Sequence, residues 1–114
     1  MSDVFRVLLT MSIKDGQGSA FEDKWLEIGD SVTSHPANLG QWLCRGDEPG
    51  VYFITSDWVD ESGFRQFEKS ERHIIHREKL HPYRQGGAMD TMTVVAHLPG
   101  TPGTVSHEEW EAAR

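Results

Sequence analysis

The sequence predicts an α+β fold of the ferredoxin-like type, in which two helices cover one face of a four-stranded antiparallel sheet in the order β-α-β-β-α-β. Three observations support it. Residues 5–13 and 89–98 alternate in the manner of strands, two further strand-like runs lie between them, and two helical stretches separate these elements. The length of 114 residues is that of one domain.

The first strand and the first helix each present an apolar stripe. Residues 5–13, FRVLLTMSI, place five apolar side chains on one strand face, whereas Leu8 adds an apolar side chain to the other. The helix that follows repeats at i, i+4, i+7 and i+11, and Pro36 ends it. The inward-facing helix residues are Phe21, Trp25, Ile28 and Val32.

The central segments LGQWLCRG and VYFITSDW predict two strands joined by the turn GDEPG. Cys44, in the middle of the first of these strands, is expected to be a small buried hydrophobic residue rather than a nucleophile. Asp60 is a candidate cap for the second helix, whose pattern is interrupted near Ser70, so we expect a kink or break there. After HPYRQGG, the run MDTMTVVAHL predicts the last strand.

The ferredoxin-like domain is assigned to residues 1–98, followed by a tail at residues 99–114 that is rich in Gly, Pro and Thr. Within the tail, SHEE has the form of a capping box, and Trp110 is expected either to dock on the partner subunit or to be disordered. Because the sheet's second face is left open and carries Leu8, we expect two copies to pack sheet to sheet as a homodimeric α/β barrel.

Charge and composition exclude several classes of function. The net charge of −7 has the wrong sign for binding phosphates, so no nucleic-acid partner is expected. No apolar run approaches the ~20 residues that span a bilayer, so no membrane role is expected. The single Cys44, with no basic and apolar leader before the first strand, indicates a cytoplasmic protein. Standard cofactor motifs are missing, so no cofactor is expected.

Two histidines are the first candidates for catalysis. His73 and His76 lie three residues apart on the second helix, where a neutral imidazole could take a proton from a carbon acid or a phenol. His73 is preferred because Ser70 precedes it by one helical turn. The alternative is that both rings lie on the exposed helix face; no metal site is expected, because two histidines are too few ligands.

A set of aromatic residues predicts a pocket for a flat apolar ligand. Trp58, at the end of a strand, is expected to stack on the ligand and to offer its indole N–H as a donor, or else to be a core residue. The cavity is expected between the helices and the sheet. Its expected binding residues are Trp42, Tyr52 and Phe67, with Arg84 holding an anionic or phenolate oxygen.

The strand VYFITSDW followed by DESGFRQFEKSERH resembles the antibiotic biosynthesis monooxygenase superfamily over residues 4–98. The segments FRVLLTMSIK, WLEIGDSVTSHPANLGQWL and HPYR are similar to a short-chain branch from aromatic polyketide and spore-pigment gene clusters. The haem-degrading branch has an Asn on its first strand and a Trp in its second helix. Leu8 and Phe67 occupy those places here, so the resemblance does not extend to haem chemistry.

The resemblance implies an enzyme that acts on an aromatic polyketide. The first expectation is a cofactor-independent monooxygenase that converts an anthrone-type ring to a quinone. The alternative is a cyclase or aromatase that promotes ring closure of a poly-β-ketone. Both reactions begin with removal of a proton to give an enolate or phenolate. The third reading is a scaffold that binds a polyketide without catalysis.

Overall fold

A computed structural model describes residues 3–102 and contains one four-stranded antiparallel sheet with helices on one of its faces. The strand order is β2-β3-β1-β4, so β1 and β3 are central. This confirms the predicted ferredoxin-like fold. The elements are β1 (Val4–Ile13), α1 (Gly18–Ile28), α2 (Asp30–Thr33), β2 (Asn38–Arg45), β3 (Val51–Trp58), α3 (Glu61–Glu68), α4 (Glu71–Leu80), a 3₁₀ turn (His81–Tyr83) and β4 (Arg84–Val94).

The core lies between the helices and one face of the sheet, and it consists of two adjoining clusters. One cluster joins β1 and β3 to α1 and the end of α4; the other joins the same strands to α2 and α3. Leu9 packs against both clusters. Phe21, Trp25, Ile28 and Val32, the stripe predicted from helical spacing, are all buried.

The first helical region is divided at Gly29 instead of forming the single helix that the periodicity predicts. Gly29 keeps helical backbone angles and serves both as the C-cap of α1 and as the N-cap of α2. Two side chains donate hydrogen bonds to backbone carbonyls at this point. Gln41 Nε2 donates to Gly29 O at 3.3 Å, and Ser31 Oγ donates to Ile28 O at 2.8 Å. Glycine's weak helix propensity and these competing donors explain the division.

The break expected near Ser70 is confirmed. Ser70 has extended backbone angles, and its hydroxyl oxygen accepts a hydrogen bond from the backbone N–H of His73 at 3.2 Å. The same hydroxyl donates to Phe67 O at 2.6 Å. Ser70 is therefore the N-cap of α4, and the hydrogen bond between residues 70 and 73 is a helix cap that involves the backbone of His73 rather than its imidazole.

The last strand begins earlier and ends earlier than predicted. It runs over Arg84–Val94, because β1 pairs with it along its whole length, from Val4 with Val94 to Ile13 with Arg84. Backbone pairing with a complete central strand outweighs the low strand propensity of Gly86 and Gly87. Past Val94, β1 offers no further partner. The predicted continuation through residues 95–98 is therefore wrong.

The sheet face opposite the helices, called the open face below, is defined by Arg6, Leu8 and Thr10 of β1, Trp42 and Cys44 of β2, and Phe53, Thr55 and Asp57 of β3. Arg6 and Asp57 form a bidentate ion pair across it, with distances of 2.7 and 2.9 Å. Cys44 is exposed on this face. The expectation that it is buried is wrong, because strand alternation directs it away from the helices.

Within residues 3–102, none of the helices combines the length and the apolar character needed to cross a bilayer. The capping box at residues 106–109 and Trp110 lie outside the described residues, so the prediction that the tail docks on a partner subunit stays a prediction.

Candidate functional site

A cleft of about 290 Å³ opens between the helix-facing side of the sheet and helices α3 and α4. Strands β1 and β3 form its floor, α4 forms one wall, and β4 forms part of its rim. Its lining is mostly apolar, which suits a flat hydrophobic molecule. The lining residues that concern the chemistry are Gln41, Ser56, Trp58, Phe64, Phe67, Glu68, His73, His76, Arg77, Arg84 and Met89.

Trp58 and Phe67 lie on this cleft, as the sequence predicts. Their ring centroids are 5.0 Å apart, and Phe64 stands edge-on to Trp58 at 5.4 Å. Trp58 is only 1% exposed, and its indole N–H donates to Ser56 Oγ at 3.0 Å. The expectation that this N–H is available to a ligand is therefore wrong, because a neighbour on the same strand already accepts it. Trp58 serves as a rigid apolar wall.

His73 lines the cleft from α4 and packs its ring edge-on against Phe67, with centroids 5.1 Å apart. Its Nδ1 is buried and has no hydrogen-bond partner among residues 3–102. Burial, and then the positive charge of Arg77, lower the pKa of His73, while Glu68 opposes this in part. His73 is therefore a neutral imidazole with an unused polar atom in an apolar setting.

His76 lies one helical turn further along the same wall. Its Nδ1 is 2.7 Å from Ser31 Oγ, which belongs to α2. Burial, followed by the proximity of His73, lowers the pKa of His76 to about 4. Both histidines are thus uncharged near pH 7, and an uncharged imidazole can accept a proton without first releasing one.

Two arginines lie at the mouth of the cleft, where it meets an outer cavity of about 430 Å³. Arg77 and Arg84 line both cavities. A Cβ built on Gly87 would lie 2.9 Å from Arg84 Nη2, so the absence of a side chain there leaves room for the guanidinium. The ion pairs found within residues 3–102 do not involve either arginine. Each guanidinium offers several N–H donors of the kind that bind an anionic oxygen.

Trp42 does not line the cleft, contrary to the prediction. A register shift between Asn38 and Gly40, where Gly40 has a φ of 134°, changes the alternation of β2. Gln41 then faces the cleft, and Trp42 lies on the open face, where it is 53% exposed. A bulge of this kind reverses which side chains face the core, and the apolar pattern does not reveal it.

Tyr52 is also separate from the cleft, although it is buried. It shares a face of β3 with Trp58 but lies six residues away, which is roughly 20 Å along a strand. Its ring packs on Phe21 at 5.0 Å, and its hydroxyl donates to the carboxylate of Glu22. Arg45 completes this group with two contacts of 2.7 Å to Glu22. Tyr52 thus fastens α1 to the sheet.

The sequence analysis did not single out Gln41 and Arg77, which line the cleft, or Ser31, which contacts the cleft residue His76. Arg77 could have been found, because residues 73, 76, 77 and 80 have the spacing of one helix face. Gln41 depends on the bulge in β2. Ser31 is 45 positions from His76, and no local pattern connects the two. Across residues 3–102, no group of three or more His, Cys, Asp or Glu side chains is arranged to hold a metal ion.

Comparisons with known proteins give a consistent result. The family model described as antibiotic biosynthesis monooxygenase matches residues 4–79. Protein SchA of Streptomyces halstedii is 30% identical over 82 residues, which cover 71% of this chain and 22% of that protein. The 42.8 kDa protein in the whiE locus of Streptomyces coelicolor is 29% identical over 76 residues, covering 66% and 19%. The chain thus spans about a fifth of the length of these curated relatives.

Among solved structures, SnoaB, a cofactor-independent oxygenase from Streptomyces nogalater, superposes with a TM-score of 0.75. The match covers 87% of this chain and 100% of that one at 17% sequence identity. At this identity the likeness establishes a shared fold.

Proposed function

The chain belongs to the antibiotic biosynthesis monooxygenase family, and from this premise we propose that it is a cofactor-independent monooxygenase that tailors an aromatic polyketide. The reaction we propose is oxidation of an anthrone-type ring to a quinone. The observation that carries this proposal is the presence of two uncharged imidazoles, His73 and His76, on one wall of an apolar cleft.

The dimensions and lining of the cleft support a fused-ring substrate. Its volume of about 290 Å³ is close to the lower end of the range of about 300–1,000 Å³ that is typical of small-molecule sites. Trp58 and Phe67, whose ring centroids are 5.0 Å apart, contribute to its apolar lining. Polar groups are few and lie near the histidines and the mouth, so they would orient the ligand rather than hold most of its surface.

The proposed reaction needs only a base and dioxygen. An imidazole takes a proton from the anthrone methylene, and the electron pair of the broken C–H bond remains on the ring as an enolate. The electron-rich carbon adds dioxygen to give a peroxide anion, which is protonated by the imidazolium. Loss of water then converts the former methylene to a carbonyl, with one oxygen atom retained and the other released as water.

Arg84, with Arg77 beside it at the mouth, is proposed to stabilise the oxyanion of the enolate or phenolate. A guanidinium is always charged near neutral pH and donates several N–H groups to oxygen. Stabilising the enolate lowers the barrier to proton removal, because the negative charge develops on this oxygen in the transition state.

The test is incubation of the metal-free protein with a hydroxylated anthrone under air and under nitrogen, following quinone absorbance. We expect quinone only under air, at a rate well above that of heat-denatured protein, which controls for autoxidation. With ¹⁸O₂, the new carbonyl should carry label. A rate equal to the denatured control, or a requirement for added flavin or metal, would contradict the proposal.

The same two imidazoles support the alternative of a cyclase, since enolate formation also begins ring closure of a poly-β-ketone. The nitrogen arm separates the two activities, because ring closure consumes no dioxygen. Binding of the anthrone or the poly-β-ketone without turnover, both under air and under nitrogen, would favour a scaffold that binds a polyketide without catalysis.

We further propose that the protein is a homodimer joined through the open face. That face carries Trp42 at 53% exposure, together with Leu8 and Phe53. Large apolar side chains grouped on one exposed sheet face are typical of an interaction surface.

A further inference from the structure

One contact near the cleft joins two elements that are distant in sequence. Ser31 of α2 and His76 of α4 meet through Oγ and Nδ1 at 2.7 Å. On its other side, the Ser31 hydroxyl donates to Ile28 O at 2.8 Å. Ile28 is the last residue of α1, and carbonyls in the last turn of a helix lack intrahelical donors.

These two contacts together favour one position for the proton on the His76 ring. A serine hydroxyl has a single hydrogen and Ile28 O can only accept, so both contacts are hydrogen bonds only when that hydrogen is directed to Ile28 O. In that arrangement the lone pairs of Ser31 Oγ face His76, and Nδ1–H is the donor in the contact at 2.7 Å. A neutral imidazole with a proton on Nδ1 has none on Nε2, which is then the nitrogen able to accept one.

We propose that Ser31 is a positioning residue that holds His76 as its Nδ1–H tautomer, so that His76 Nε2 is the atom that removes the substrate proton in the cleft. This inference rests on the function proposed above. In the proton transfer, the substrate C–H bond breaks and an N–H bond forms at Nε2. The resulting imidazolium keeps its Nδ1–H bond to Ser31, and its new proton is later given to the peroxide.

The geometry also separates this pair from a Ser-His nucleophile. An activated serine must give its proton to the imidazole, whereas Ser31 Oγ also lies 2.8 Å from Ile28 O, a carbonyl that can only accept that proton. The contact with Ser31 also distinguishes His76 from His73. His73 Nδ1 has no hydrogen-bond partner among the described residues, so no comparable contact selects its tautomer.

The tautomer can be measured by long-range ¹H–¹⁵N NMR of the full-length, ¹⁵N-labelled protein near pH 7. In the wild type we expect the His76 signals of an Nδ1–H tautomer. Ser31→Ala should give a mixture of tautomers, and Ser31→Thr, which keeps a hydroxyl, should restore the wild-type pattern. Ser34→Ala is the matched control, because Ser34 also donates to a backbone carbonyl, Asp30 O at 2.5 Å, but is exposed.

Kinetics provide the second measurement. Ser31→Ala should lower kcat about tenfold or more while leaving KM nearly unchanged, because the base is misoriented but the binding surface is intact. Ser31→Thr should recover most of this loss, and Ser34→Ala should not change kcat. A tautomer change without loss of kcat would overturn the positioning role.

The NMR result stands whether or not turnover is found. An Nε2–H tautomer in the wild type, or a spectrum unchanged in Ser31→Ala, would overturn the inference even if the enzyme oxidised anthrones. If no substrate is turned over, titration with 1,8-dihydroxyanthraquinone should still shift the His76 Nε2 signal in the wild type, and an unmoved signal would likewise count against it. Failure of the proposed function alone would show as normal tautomer results without catalysis.

Discussion

The two histidines of α4 share a wall of the cleft but differ at their Nδ1 atoms. His76 Nδ1 is held by Ser31, whereas His73 Nδ1 is buried without a partner among residues 3–102. A base acts efficiently only when its accepting atom is fixed toward the proton that it removes. We therefore propose His76 rather than His73 as the base, the reverse of the preference based on the Ser70 spacing.

Replacement of either histidine should affect turnover more than binding. We expect His76→Ala to lower kcat by roughly 10²–10⁴-fold, the usual loss for a positioned base. His73→Ala should cause a smaller loss, and ligand affinity should change little in both. Steady-state kinetics with a hydroxylated anthrone measure the first effect, and quenching of tryptophan fluorescence measures the second.

His97→Ala is the control for these variants, since His97 is exposed and does not line the cleft. Full turnover in His73→Ala and His76→Ala together would remove both residues from the mechanism. The cleft would then act by positioning and desolvation alone.

The buried histidines also predict how stability depends on pH. The pKa of His76 is lowered from 6.5 to about 4 in the folded state, chiefly by burial. Between these values the unfolded chain binds more protons than the folded one, so the free energy of unfolding falls as pH decreases from 6.5 toward 4. Above pH 6.5 the ring is neutral in both states and contributes nothing to the pH dependence.

Urea unfolding at pH 7.5 and at pH 5 measures this effect. The expected loss for His76 is about 2 kcal/mol or less, because water still reaches part of the ring. His76→Gln should reduce the slope. The pKa of Glu22 is lowered to about 2 by its hydrogen bonds with Arg45 and then with Tyr52. Its stabilising contribution is therefore fully present above pH 4.5 and is lost as pH falls through about 2, below the range of this experiment. An identical slope in His76→Gln would contradict the assignment.

Among the secondary-structure elements, α3 holds the aromatic wall in place through a close approach of backbones. A Cβ built on Gly63 would lie 2.5 Å from Ala37 Cβ and 3.2 Å from Asp60 Oδ1, the N-cap oxygen that accepts from Gly63 N. Phe64 and Phe67 follow on the same helix and line the cleft. The absence of a side chain at Gly63 therefore sets how closely α3 approaches Ala37, which directly precedes β2.

Gly63→Ala should consequently destabilise the protein, although the same change in an exposed helix would stabilise it. Overpacking of this kind costs roughly 1–3 kcal/mol, which thermal or urea unfolding can measure. Gly86→Ala is the matched control, because a Cβ on Gly86 meets nothing within 4 Å. If Gly63→Ala raised the melting temperature, the close packing of α3 would be contradicted.

At the scale of the whole molecule, the two faces of the sheet have different surroundings. The helix-facing side forms the core and the cleft, and the open face is available for a second copy. Burial of the open face would remove Trp42 and its apolar neighbours from water, which favours association in proportion to the area covered.

We therefore expect light scattering to give about twice the chain mass of 12.9 kDa at micromolar concentration. Trp42→Glu should shift the protein toward the monomer, because a buried unpaired charge opposes association. Leu26→Glu is the control, since Leu26 is 71% exposed on α1, on the other side of the sheet. A wild-type mass near 12.9 kDa would refute the dimer.

The sequence by itself determined the order of the elements, the buried stripe of the first helical region and the break at Ser70. Each of these follows from properties that act within a few residues: the period of a helix or a strand, and the ability of a serine hydroxyl to cap a helix N-terminus. The placement of His73 and His76 on one wall follows from the same local period.

Only the tertiary structure decided which sheet face Trp42 occupies, where β4 begins and which side-chain oxygen contacts the His76 ring. Trp42 depends on a bulge at Gly40, and β4 starts at Arg84 because β1 pairs with it there. Ser31 and His76 meet only after both helical regions have packed on the sheet. These features are set by strand register and by contacts between distant residues, and a local apolar pattern is compatible with more than one such arrangement.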